Sequence, residues 1–199
     1  FKEYLPALDI SLIAVDEAHC IAQLGYDFRP PYLRIAALRN ELPGVPVIAL
    51  TASATKDVET AIIEKLAFKN PLIFRQPYKR PALSYSYFEV ESKINKTIEI
   101  INNVKGAGIV YCNTRKQTKD IAELLQLQKV SADFYHAGLS AEERQKKQKK
   151  WMVGETRIMV CTSAFGMGID KDDVRTVIHY EIPDCLENYY QEAGRAGRD

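Results

Sequence analysis

The apolar run "LIAV" ends in two adjacent carboxylates, Asp16 and Glu17, followed at once by Ala18 and His19. A β-strand would deliver such a pair at its carboxyl end, where open α/β sheets place ligands. Asp16 suits a Mg²⁺ ion bound through water, which neutralises phosphate charge. Glu17 suits the activation of an attacking water. Adjacent acids can divide these tasks because the ion lowers the pKa of one while the other faces the water. Both are candidate metal residues, and the plain alternative is a solvated turn. The companion of such a pair, a phosphate loop of the form G-x-x-x-x-G-K-[ST], occurs nowhere in the chain.

Other stretches carry complementary chemistry. "QEAGRAGRD" sets Arg195 and Arg198 three apart among small residues, with Gln191 ahead of them. Arginine grips polyphosphate through paired donors that lysine lacks, and an arginine supplied by a second domain can stabilise charge on a transferring phosphoryl group. "ALTASAT" ends a second apolar run with the hydroxyls of Thr51, Ser53 and Thr55 separated by alanines. These can bond a neighbouring carboxylate or His19, and Thr55 also suits a helix cap. In "TSAFGMGID", Gly166 and Gly168 permit close approach to a phosphate or form a turn. "VYCNTRK" puts Asn113, Thr114 and Arg115 where a strand meets a helix, whose N-terminal amides bind phosphate; Asn113 or Thr114 could equally serve as the cap. His136 in "YHAGLS" is a comparable loop residue. "GYDFRPPY" gathers Tyr26, Phe28 and Arg29, a set suited to stacking on unpaired bases or to packing under the following helix.

The elements that position these residues alternate. Ile10–Val15, Val45–Leu50, Leu72–Phe74, Ile109–Cys112, Ile158–Cys161 and Val174–Tyr180 are apolar almost throughout, as strands covered on both faces are. Between them, Ile94, Ile98 and Ile101 share one helical face, and Ile121, Leu124, Leu125 and Gln128 another. Ser140 and Glu143 have capping-box spacing, and Asp184 is expected to cap a helix through Glu187. Strand–helix repetition implies an α/β fold with right-handed crossovers. The aperiodic stretch "RQPYKRPALSY", with two prolines, marks a boundary. Residues 1–76 read as the second half of one domain, 77–85 as a linker and 86–199 as a complete small domain.

With 46% hydrophobic and 27% charged residues among 199, the chain should fold as a soluble globular protein. No apolar stretch is long enough to span a membrane, and the start "FKEYLPALDI" is not a signal peptide. A formal charge of +1 leaves any nucleic-acid binding to local patches. The four cysteines form no C-x-x-C pair, so neither a zinc site nor a disulfide framework is expected, and a reducing cytoplasm fits. "KKQKK" reads as a solvated helix face, and Trp151 beside it as a core residue.

The series VDEAH, TASAT, VYCNTRK, YHAGL, AFGMGID and YYQEAGRAGRD resembles the superfamily-two helicases, and specifically the RecQ family of ATP-dependent DNA helicases. The likeness covers nearly the whole chain. It implies two RecA-like domains, parallel sheets flanked by helices, with ATP bound in the cleft between them and the phosphate loop upstream of Phe1. Asp16 and Glu17 would serve Mg²⁺ and water activation. His19, Ser53 and Thr55 would couple that site to the second domain. Arg195 and Arg198 would reach the γ-phosphate, with Gln191, Gly168 and Asp170 near the nucleotide. Phe28 and Arg29 would sense single-stranded DNA, and Thr114, Arg115, His136 and Thr162 would line its phosphate track.

The resemblance further implies 3′-to-5′ translocation on single-stranded and partly duplex DNA, in recombination and repair. The location would be cytoplasmic, at the nucleoid in a bacterium. The family's zinc-binding region would follow Asp199. Leu24 stands where the family's aromatic-rich loop usually has Trp, and Ala82 where it tends to have Asn. RNA as the substrate, or a binding module without catalysis, are the competing readings. This piece alone is expected to be inactive.

Overall fold

A computed structural model describes the chain except residues 1–4, 6–7, 23–28, 78, 167–168 and 199. Phe28 and Gly168 of the candidate site, and Leu24 and Tyr26 of the aromatic-rich loop, therefore lie outside the described residues. The chain forms two compact units, Phe1–Pro77 and Tyr78–Asp199.

The first unit contains β1 (Ile13–Val15), α1 (Ile35–Glu41), β2 (Val47–Ala49) and α2 (Lys56–Lys65). β1 and β2 are parallel, with Val15 opposite Ala49. Their pairing outlasts the strands: Leu50 N–H donates to Val15 O, and Ala18 N–H to Leu50 O, each at 2.9 Å. The Asp16–Glu17 turn is thus tied to the residue preceding Thr51. Val15, Ala18, Ile21, Val58, Ile62 and Leu66 form the core. Thr55 caps α2 by accepting from Val58 N–H at 3.4 Å. Leu72–Phe74 corrects the sequence reading: it forms no strand, and Leu72 and Phe74 are 85% and 90% exposed. Pro71 brings no N–H to a ladder, and three residues offer too few bonds to hold a strand that buries nothing.

The second unit contains α3 (Lys93–Asn103), β3 (Ala107–Tyr111), α4 (Arg115–Leu127), β4 (Ala132–Tyr135), α5 (Ala141–Met152), β5 (Ile158–Cys161), β6 (Val174–His179) and α6 (Leu186–Ala193). Its sheet runs β4-β5-β3-β6, every pair parallel. β3 and β5 lie inside and are buried along their whole length, which is why they read as unbroken apolar runs. One face packs Tyr111, Trp151, Met159 and Phe165, and the other Ile101, Val110, Ile121, Leu125 and Val160. The expected α/β class, parallel sheets flanked by helices, is what forms. Arg80 and Leu83, from the stretch read as linker, are bound into this unit: Arg80 Nη2 donates to Gly197 O at 2.8 Å, and Leu83 packs on the core.

Three local readings change. β4 was not anticipated, because "ADFY" is short and its inner residues are only half-buried at a sheet edge. Leu124 is exposed, and the buried face of α4 runs through Ile121, Ala122 and Leu125. Cys185, not Asp184, caps α6, with its sulfur accepting from Asn188 N–H at 3.5 Å.

Candidate functional site

In the first unit the carboxylates occupy a tight turn leaving β1. Glu17 adopts φ 49°, and its N–H donates to Asp16 Oδ1 at 2.8 Å. The strained left-handed backbone turns the chain at once into a buried 3₁₀ turn, Ala18–Ile21. His19 Nδ1 lies 3.0 Å from Thr51 Oγ1 and 3.4 Å from Glu17 Oε2. The Thr51 hydroxyl donates to Ser53 O at 3.0 Å and is left to accept from His19, which assigns the ring proton to Nδ1. Thr51 was not singled out among the three hydroxyls. The strand register decides between them, because it puts the residues just after β2 beside the turn that follows β1. Ser53 is buried, and Thr55 acts as the α2 cap.

Further ties hold the turn. The Tyr32 hydroxyl donates to Asp16 O at 3.3 Å, and Arg29 N–H donates to Cys20 O at 2.8 Å. Burial, the largest cause, raises the Tyr32 pKa and keeps it a donor. Among the described residues no group of three or more His, Cys, Asp or Glu converges on a metal position. The Asp16–Glu17 pair still fits Mg²⁺, which keeps several waters and takes one or two carboxylates together with phosphate oxygens. Asp16 is exposed, and the Glu17 side chain is 43% exposed.

In the second unit Arg195 and Arg198 have different surroundings. Arg195 is half-buried against the loop after β5, where its Nη1 donates to Ile169 O at 3.4 Å. Gly166, at φ 134°, makes room for it: a Cβ there would lie 3.0 Å from Arg195 Nε. Arg198 is exposed, donates through Nη1 to Asp170 Oδ1 at 2.6 Å and through Nε to Gly194 O at 3.3 Å. Asp170 and Arg198, both drawn toward the nucleotide by the sequence reading, are therefore partners. Gln191 lies on α6.

The carboxyl edge of the same sheet gathers the remaining candidates. Thr114 caps α4, accepting from Gln117 N–H at 3.2 Å, which settles the choice between Asn113 and Thr114. Arg115 follows β3 and crosses to the loop after β4, so closely that a Cβ on Gly138 would meet its Nη1 at 2.8 Å. His136 sits in that loop, and its Nδ1 is buried without a partner among the described residues. Thr162 N–H donates to Tyr135 O at 3.2 Å, drawing the ends of β5 and β4 together. Cys112 and Cys161 lie beneath this edge as buried thiols. Burial pushes Cys112 up to about 12 and raises Cys161 well above its ordinary value, so both stay protonated and unreactive.

Residues 92–199 match the helicase conserved C-terminal domain. The chain belongs to that family. Over its whole length, matched domain included, the chain is 45% identical over 201 residues to the ATP-dependent DNA helicase RecQ of Bacillus subtilis, covering 100% of this chain and 34% of that protein. It is 43% identical over 196 residues to the ATP-dependent helicase SGS1 of Saccharomyces cerevisiae, covering 96% of this chain and 13% of that protein. The RecQ resemblance carried by the motifs is borne out, and the chain spans about a third or less of these relatives. Among solved structures, Saccharomyces cerevisiae Dbp5 bound to RNA and ADP BeF3 superposes with a TM-score of 0.77 at 17% identity, over 99% of this chain and 54% of that one. That likeness shows the fold alone.

Proposed function

We propose that this helicase-family chain belongs to an ATP-dependent DNA helicase that translocates 3′ to 5′ on single-stranded DNA and unwinds duplexes in recombination and repair. The observation that carries the proposal is the Asp16–Glu17 turn. It closes a parallel strand and is bound through His19 to Thr51, in a chain 45% identical to a RecQ helicase. Asp16, with Glu17, would hold Mg²⁺, which supplies charge neutralisation at the phosphates when bound. Glu17 orients the attacking water and accepts its proton. His19 holds Glu17 and passes the state of the turn to Thr51 and Ser53. Arg198 offers a guanidinium to the γ-phosphate as charge develops there, and Arg195 supports it. Thr114, Arg115, His136 and Thr162 line the phosphates of the strand, and Phe28 and Arg29 report its presence.

The test is strand displacement by a full-length protein carrying this chain, on duplexes with a 3′ or a 5′ single-stranded tail of DNA or RNA. ATP-dependent opening of the 3′-tailed DNA alone is expected. Preference for the 5′ tail overturns the polarity, preference for RNA overturns the substrate, and binding without hydrolysis favours a non-catalytic module.

A further inference from the structure

The carboxyl end of β6 and the last turn of α6 meet in a buried pair, His179 and Glu192, to which the motif readings give no role. His179 Nε2 lies 2.9 Å from Glu192 Oε2, with side chains only 12% and 14% exposed. An ionised carboxylate only accepts, so His179 Nε2–H is the donor. The His179 ring stacks on Tyr111 with centroids 5.6 Å apart and planes 16° apart, and meets Tyr189 at 5.0 Å. Glu192 is thereby held on its helix by a strand residue that is itself clamped between two aromatic rings.

Arg195 borders the same cluster. Its N–H donates to Glu192 O at 3.2 Å, so the two share the end of α6. Tyr111 touches both sides of the cluster: its ring stacks on His179, and a Cβ on Gly166 would lie 3.2 Å from its hydroxyl and 3.0 Å from Arg195 Nε. Burial raises its pKa most, Glu192 raises it too and Arg195 lowers it. The Tyr111 hydroxyl donates to Phe165 O at 3.1 Å, one residue before the Gly166 that leaves room for Arg195. Arg195 Nε is buried with no partner among the described residues. Its direction is set by the Nη1 bond to Ile169 O and by packing against Gly166 and Tyr111. Glu192, held by His179 and accepting the Arg195 N–H at its backbone oxygen, supplies the frame from which the guanidinium leaves the helix end.

We propose that His179 and Glu192 are positioning residues for Arg195, just past the end of α6. The strand-to-helix bond fixes the last turn, and that turn, with Tyr111 and the Gly166 loop beside it, aims Arg195. The inference rests on the proposed ATPase reading.

The test uses a full-length protein carrying this chain, with DNA-stimulated ATPase measured for Glu192→Ala, Glu192→Gln, Arg195→Ala and the double variant Glu192→Ala/Arg195→Ala. Glu192→Ala is expected to lower kcat about ten- to a hundredfold, as a misaimed group does, with KM for ATP and single-strand affinity within about twofold. Glu192→Gln keeps an oxygen for His179 and should recover most of the loss. The double variant should be no slower than Arg195→Ala, because a positioning residue has nothing left to position. Multiplied losses in the double variant, or a Gln variant as slow as the Ala variant, would overturn the inference. Should Glu192→Ala not fold, His179→Phe keeps the ring stack and removes the donor; an unchanged kcat there would overturn it too. A wild-type protein without ATPase overturns the functional reading and this inference together, whereas an active wild type with multiplied losses overturns this inference alone.

Discussion

Arg198 is the residue at which the proposed chemistry is most exposed to test. Its pair with Asp170 is at the surface, the Asp170 side chain being 77% exposed. Such a pair is worth about 0–1 kcal/mol, whereas a phosphate can engage a guanidinium through two charge-assisted bonds. Asp170 can therefore hold Arg198 in place without competing seriously with a nucleotide. Arg198→Ala in a full-length protein is expected to lower kcat by about a thousandfold, the low end for an arginine acting on a transferring phosphoryl group. Single-strand affinity should change little. Equal loss of turnover and affinity would show that Arg198 mainly holds DNA. At this scale the sequence supplied residue types and spacings but not pairings. Nothing in "ALTASAT" distinguishes Thr51 from Ser53 or Thr55; the parallel register of β1 with β2 does. Glu192 lies within "QEAGRAGRD", but nothing in its spacing points to His179, and only their burial in one cluster makes them a pair.

At the scale of elements, α5 shows how local sequence fixes a boundary. The Ser140 N–H and hydroxyl both donate to the Glu143 carboxylate, at 3.0 and 2.9 Å, and Glu143 N–H donates back to Ser140 Oγ at 3.2 Å. Ser140→Ala should cost about 0.5–2 kcal/mol in denaturant unfolding, the usual range for a lost cap. The same bonds, the backbone one first, hold the Glu143 pKa below its ordinary value. The sign follows: a depressed carboxylate contributes stability that is present above its unfolded pKa and lost as pH falls through the lower folded value. Glu143→Gln should flatten that acid limb in unfolding midpoints measured down the pH scale; an unchanged limb would show that the box contributes nothing there. The caps at Ser140 and Thr55 were readable because they are local, whereas at α6 Cys185 takes the place expected of Asp184. The buried strands β3 and β5 were readable because both faces are covered. β4 was not, because four residues at an edge carry too little pattern, and Leu72–Phe74 was misread because apolar type alone does not provide a partner strand.

For the whole molecule, the two units carry different chemistry. The first holds Asp16, Glu17 and His19, and the second holds Arg195 and Arg198. The matched helicase C-terminal domain takes in the second set, and the similarity to RecQ runs through the first as well, a likeness the motif order already carried. The division into units matches no single motif; it follows from where packing is dense, which draws Arg80 and Leu83 into the second unit. The proposed hydrolysis requires a cradle for the β- and γ-phosphates that neither unit's motifs provide. DNA-stimulated ATP hydrolysis should therefore be compared between this 199-residue chain and the same chain extended upstream through a G-x-x-x-x-G-K-[ST] loop. No turnover by the chain alone and clear turnover by the extended protein are expected. Turnover by the chain alone, or none by the extended protein, would contradict the proposal that Asp16 and Glu17 are one half of an ATPase site.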